Sequence, residues 1–244
     1  MIVFIEKYNI LSDTQYGFRK NKSTESALLN FKNYIQEGLA NRLSVGSVFM
    51  DLSKAFDVIN HSILKTKLEH YGFRGVFLDF LMSFVTDRKY FVNVNGLNSD
   101  IKTVNIGVPQ GSTLGPLLFL IYINDMSNCS EILKFILFVD DTTLLYSHRC
   151  TVTLKIILEN ETKKVVTWLA ANKLIVNLSK THTMLFTKKY GNFNLQLNVN
   201  NNTIEEKQET SFLGVVIDNK LSWKQHVNYI SGKISKSIAL MKLF

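Results

Sequence analysis

Leu133-Lys134-Phe135-Ile136-Leu137-Phe138-Val139-Asp140-Asp141-Thr142-Thr143-Leu144-Leu145-Tyr146 is the stretch from which the rest of the chain can be read. An apolar run rich in β-formers is broken by two adjacent carboxylates and then resumes. The pattern predicts a strand over 133–139, a tight turn at Asp140-Asp141 and a returning strand over 142–146. Neighbouring carboxylates repel each other, so a folded chain needs a reason to keep them together. A solvated turn is one reason, since Asp is common in turns. A cation between them is the other, because it reverses the repulsion.

Asp51 bears on that choice. It too ends an apolar run, in Val48-Phe49-Met50-Asp51-Leu52-Ser53-Lys54-Ala55-Phe56-Asp57, where a strand is expected over 45–52. On its own it reads as a solvated strand end. If the two strands are neighbours in one sheet, Asp51 and the 140–141 pair converge on one edge. Such an oxygen-only cluster suits Mg²⁺, which takes carboxylates, waters and phosphates.

Working outward, Leu28, Phe31, Ile35 and Leu39 share one helical face, with Ser23 and Thr24 placed to cap it. Asn60 is placed to cap a second helix that Gly72 closes, and a third is expected over 76–85. Phe91 to Val94 alternates, and Asn95-Gly96 marks a hairpin that returns through Ile101 and Val104. Gly107-Val108-Pro109-Gln110-Gly111 is a loop leading to an apolar helix over 113–125, and Ser112 or Thr113 would cap it. A long helix is expected after Tyr146, then strands over 181–186 and 193–199. The second of these turns at Asn200-Asn201-Asn202 and leads to Phe212-Leu213-Gly214, and a basic helical tail covers 223–244. Helices mixed with antiparallel hairpins indicate an α+β fold.

Composition narrows the classes further. The chain has 244 residues, 46% of them hydrophobic, with 17 Phe, which is core material and not the make-up of a disordered chain. A net charge of +8 favours a polyanionic partner without identifying one. Only Cys129 and Cys150 occur, with no metal-binding spacing, which argues against a disulfide framework or structural zinc. The longest apolar run, 117–123, is too short to span a bilayer. A soluble, intracellular protein with no membrane partner is expected.

The motifs taken together and in order resemble the reverse transcriptases of non-LTR retrotransposons of the jockey type. These are Gly17-Phe18-Arg19, the Asp51 block with Ala55-Phe56-Asp57, Gly107 to Pro116, and Phe138-Val139-Asp140-Asp141. Trp168, Asn172-Lys173-Leu174, Asn177 to Thr181 and Phe212-Leu213-Gly214 match two later blocks. The likeness covers roughly residues 10–235, and group II intron maturases share much of it.

The resemblance implies a right-hand polymerase, its antiparallel-sheet palm packed on helices. One domain over 10–244 is expected, with partial fingers at the start and the palm over about 45–60 and 105–200. The primer grip falls near 205–220 and the thumb begins at 221–244. The implied activity is RNA-directed DNA synthesis on an RNA template, adding dNTPs to a DNA primer with two Mg²⁺ ions, or Mn²⁺ in their place. The likeness makes Asp51, Asp140 and Asp141 the metal-binding triad and Phe56 a steric gate against ribonucleotides, although a core aromatic explains Phe56 equally simply.

Gln110 and Gly111 would lie against the incoming nucleotide, where a plain turn is the alternative. Arg19 would sit near the template, Lys180 would be a general acid, and Phe212, Leu213 and Gly214 would form the primer grip. An exposed Arg and a solvated Lys are the simpler readings of Arg19 and Lys180, and Asp57 reads as a helix cap. A nuclear site of action is likewise implied. Judged against the family, an N-terminal basic block is absent and the thumb is truncated at Phe244. The alternative reading is therefore an inactive nucleic-acid-binding remnant. An RNA-dependent RNA polymerase is disfavoured by the Pro-Gln-Gly loop.

Overall fold

A computed structural model describes residues 1–191 and 193–241. The chain opens with α1 (Ile2–Lys7), α2 (Thr24–Ala40), β1 (Ser44–Met50), α3 (His61–His70) and α4 (Gly75–Val85). Four short strands follow: β2 (Arg88–Tyr90), β3 (Asn93–Val94), β4 (Leu97–Asn98) and β5 (Lys102–Val104). Then come α5 (Leu114–Ile123), β6 (Lys134–Phe138), β7 (Asp141–His148), α6 (Thr151–Ala171) and β8 (His182–Phe186). The chain continues through β9 (Leu197–Val199), β10 (Asn202–Ile204), β11 (Glu209–Phe212), β12 (Val215–Asp218) and α7 (Lys224–Met241). The mixed helical and antiparallel architecture expected from the sequence is present.

Local chemistry sets the helix ends. Ser23 accepts from the Ser26 backbone N–H while the Ser26 hydroxyl accepts from Ser23 N–H, a reciprocal cap on α2. Asn60 Oδ1 accepts from Ile63 N–H at 3.1 Å to start α3. At its far end Gly72 N–H donates to Glu69 and Phe73 N–H to Leu68, the paired bonds that close a helix.

The central sheet has the order β6-β7-β1-β8, antiparallel throughout. β1 is buried along its whole length because both faces are covered. Val48 and Met50 join the core with Leu64, Leu118, Phe119 and Leu158 from α3, α5 and α6. Val45 and Phe49, pointing the other way, pack with Phe31 and Ile35 of α2 and Phe212 and Ile217 of the β11–β12 hairpin. Phe31 is the hub of that second layer, its ring centroid 5.7 Å from Phe49 and 5.1 Å from Phe212. Burying such a ring stabilises the fold by about 1.5–3 kcal/mol.

Several sequence expectations shift. The short helix α1 has no strong periodic signal and was not anticipated. The turn before β7 falls at Val139-Asp140, and Asp141 is already the first residue of the strand. The 193–199 strand is confined to Leu197–Val199, and the helical tail is described as far as Met241, so its expected last turn lies outside the described residues. Asp57 does not cap α3, because Asn60 takes that place. Ser112, not Thr113, bonds the start of α5, accepting from Gly115 N–H at 3.0 Å. Among the described residues no helix is long and apolar enough to cross a membrane.

Candidate active site

Strand register brings two of the three predicted carboxylates face to face. Met50 pairs with Thr142 and Phe49 with Thr143, so one step further along the same ladder Asp51 stands opposite Asp141. Directly opposed residues project from the same face of a sheet. Here that is the face carrying Phe49, under the β11–β12 hairpin. Asp140 lies in the turn that joins β6 to β7.

The electrostatics are unfavourable without a counter-charge. Asp141 opens toward the cleft, yet crowding by surrounding protein raises its carboxyl above the ordinary range, and the charges of Asp140 and then Asp51 push it further. Asp51 Oδ2 lies 3.7 Å from Lys180 Nζ, whose side chain is 69% exposed. That pair is weak because water screens it.

The wall facing these carboxylates is the hairpin turn. Leu213 and Gly214 link β11 to β12 with φ +48° and +84°, a left-handed pair that suits a two-residue hairpin. Ser211, Phe212 and Leu213 line the same cavity as Asp51, Asp141, Lys180 and His182. His182 ties that wall to the sheet. Its ring stacks on Phe49 at 5.2 Å, Nδ1 is 2.9 Å from the Lys180 carbonyl, and Nε2 is 2.7 Å from the Thr210 hydroxyl. Burial lowers its pKa. With Nδ1–H donating to Lys180, Nε2 accepts from Thr210.

The loop 107–111 forms a second group with the turn that carries Phe56. Val108 N–H donates to Phe56 O (2.9 Å), Gly107 N–H to Ile59 O (2.7 Å), and Gln110 Nε2 to Asp57 Oδ1 (2.8 Å). At Gly107, φ is +80° and an added Cβ would stand 2.7 Å from Asp57 O, so only glycine permits this approach. The half-buried Phe56 ring stacks on Phe119 at 4.7 Å, and Gly111 is exposed with φ +75°. Arg19 stands apart from both groups. Its guanidinium donates to Ser12 O at 2.6 Å and lies 3.7 Å from Asp13.

A reverse transcriptase (RNA-dependent DNA polymerase) family model matches residues 1–217. The chain belongs to that family. It is 27% identical over 234 residues to the RNA-directed DNA polymerase from mobile element jockey of Drosophila funebris, covering 93% of this chain and 25% of that protein. To the probable RNA-directed DNA polymerase from transposon BS of Drosophila melanogaster it is 28% identical, over 89% of this chain and 25% of that protein. The chain thus spans about a quarter of the length of these curated relatives. A Candida albicans telomerase structure in complex with a fragment of telomeric RNA shares the fold, with a TM-score of 0.61 and 16% identity over 90% of this chain and 36% of that one. Telomerase from Candida tropicalis matches likewise, with a TM-score of 0.59, 18% identity, and 91% and 43% coverage.

For a reverse transcriptase, the donor set suits a hard divalent cation, being carboxylate oxygen alone, and the raised Asp141 carboxyl indicates a site short of positive charge. The side chains do not close around a point, however. Among the described residues no three His, Cys, Asp or Glu groups stand in joint coordinating reach. Two residues at or beside this candidate site had no signal in the sequence. His182 read as one more strand residue, and Gln15, discussed below, lay outside the Gly17-Phe18-Arg19 motif.

Proposed function

We propose that the chain is the polymerising core of a non-LTR retrotransposon reverse transcriptase, adding dNTPs to a DNA primer on an RNA template. The observation that carries this reading is the β1–β7 register, which sets Asp51 opposite Asp141 beneath the 213–214 turn. Asp51, Asp140 and Asp141 would hold Mg²⁺, or Mn²⁺ in its place. Bound there, such ions would supply activation of a primer hydroxyl and charge stabilisation for departing pyrophosphate.

The chain's own groups supply the rest. Lys180, beside Asp51 and open to solvent, is placed to give a proton to the leaving pyrophosphate. Leu213 and Gly214, braced by buried Phe212, steady the primer end. Gln110 and Gly111 lie against the nucleotide, with Phe56 crowding a 2′-hydroxyl. Arg19, held by Ser12 and Asp13, supports the template side. In domain terms the palm comprises about 45–60 and 105–200, the primer grip 205–220 and the start of the thumb 221–244. The site of action is the nucleus.

Extension of a DNA primer on an RNA template, with and without Mg²⁺, tests this directly. Mg²⁺-dependent extension is expected. RNA binding with no extension at any divalent concentration would instead favour an inactive binding remnant. In the same assay Phe56→Val should raise ribonucleotide incorporation about 10–100-fold, and unchanged sugar selection removes the gate role.

A further inference from the structure

Val139 occupies φ +58°, in the left-handed region that a branched Cβ makes costly. It is the residue through which β6 turns into Asp140 and Asp141, so the aim of both carboxylates depends on a conformation that valine resists. Something outside the turn must hold it there.

The restraint comes from the start of the chain. Residues 14–17 run along the outer edge of β6, where Leu137 N–H donates to Thr14 O at 2.9 Å and Tyr16 N–H to Leu137 O at 2.7 Å. From this added parallel rung the Gln15 side chain, 2% exposed, reaches the turn. Its Oε1 accepts from Val139 N–H at 3.0 Å and from Gly17 N–H at 2.8 Å. Gly17 presses on the same residue, since an added Cβ would meet Val139 Cγ2 at 2.5 Å and its backbone N at 2.7 Å. The other end of the Gln15 amide, Nε2, is buried and meets no hydrogen-bond partner among the described residues. A side chain kept only to fill space would be apolar and avoid that unmet donor. The acceptor end is what the position uses.

We propose that Gln15 is a positioning residue for polymerisation, locking Val139 in the left-handed conformation so that Asp140 and Asp141 leave the turn toward Asp51. The proposal rests on the polymerase reading of those carboxylates, but its consequences for the turn are separately measurable.

Gln15→Met keeps length and burial and removes the acceptor. Single-turnover nucleotide addition should fall about 30-fold, as expected for a modest misplacement of reacting groups, with primer–template Kd changed less than about twofold. Val139→Gly adopts φ +58° without strain, so adding it to Gln15→Met should recover most of the lost rate. Amide exchange at Val139 should speed up at least about tenfold in Gln15→Met while β1 amides stay protected.

An undiminished rate in Gln15→Met, or a loss that Val139→Gly leaves untouched, overturns the proposal. So does unchanged exchange at Val139, or a speeding shared equally by β1, which would mark general destabilisation. Should the unmutated chain add no nucleotide, the polymerase reading fails on that result, and the exchange comparison still decides whether Gln15 holds the turn.

Discussion

The chain keeps two charged clusters partly out of water and treats them in opposite ways. On α3, Lys67 Nζ donates to Tyr122 O at 2.6 Å and to Asp125 Oδ1 at 2.5 Å, and stands 4.5 Å from the Trp168 ring centroid. Burial lowers the Lys67 pKa, but Asp125 pulls it back by hydrogen bond and charge. At the sheet edge, burial and two like charges act on Asp141 in the same direction. The ion pair there, Lys180 to Asp51, is long and exposed. A charge whose partners are supplied by the fold reports packing. A charge crowded by its own kind has no such partner within the fold, the kind of environment that functional sites favour.

Four measurements bear on that contrast. The largest effect is expected at the frustrated cluster, where Asp140→Asn should cut Mg²⁺-dependent extension at least about 10³-fold and leave template affinity within about twofold. Comparable extension by the mutant would put the cluster on a par with a surface turn. At the satisfied cluster the loss should appear in stability. Lys67→Met leaves Asp125 without its cation and should cost about 2 kcal/mol in urea unfolding, at the low end for a broken pair because Asp125 is partly exposed. Unchanged stability would show the pair to be dispensable.

Lys180→Gln should slow turnover about tenfold, with Lys180→Arg retaining more of the rate. Unchanged turnover in Lys180→Gln would reduce Lys180 to a solvated lysine. The smallest effect is Asp141→Asn without divalent ions. The raised carboxyl means ionisation costs the folded state stability, fully above the folded pKa and not at all below the unfolded one. The mutant should therefore melt about 2 °C higher at neutral pH, a small gain because the side chain faces the cleft. The difference should vanish as pH falls below the ordinary carboxylate range. A mutant that melts lower at neutral pH would contradict the frustration.

What could be read in advance followed local rules. Caps at Ser23 and Asn60, the closing Gly72 and the strands flanking the acidic pair are stated by neighbours within four residues. The Asp51 and Asp140-Asp141 pairing was legible as a condition, since each ends an apolar strand, but not as a fact. Partners distant in sequence were invisible. Asp57 looked like a cap because nothing local announces Gln110, 53 residues away. His182 gave no sign that Thr210 would meet it, and the 88–90 strand was hidden because it pairs with 102–104 across an inner hairpin. The one-residue shift of the acidic turn has the same origin, since Val139 takes a left-handed conformation and the Gln15 side chain that bonds its N–H lies 124 residues away in the chain.

The sequence by itself determined the longer helices, the strands that end at Asp51 and flank the acidic pair, and the order of motifs that marks a reverse transcriptase. Those depend on side-chain period and type over short windows. Only the tertiary structure decided that β1 lies beside β7 in the register that opposes Asp51 to Asp141, and that a hairpin near residue 213 walls their cleft. Pairing between distant segments is settled by the burial of two whole faces at once, a quantity that no local stretch of residues contains.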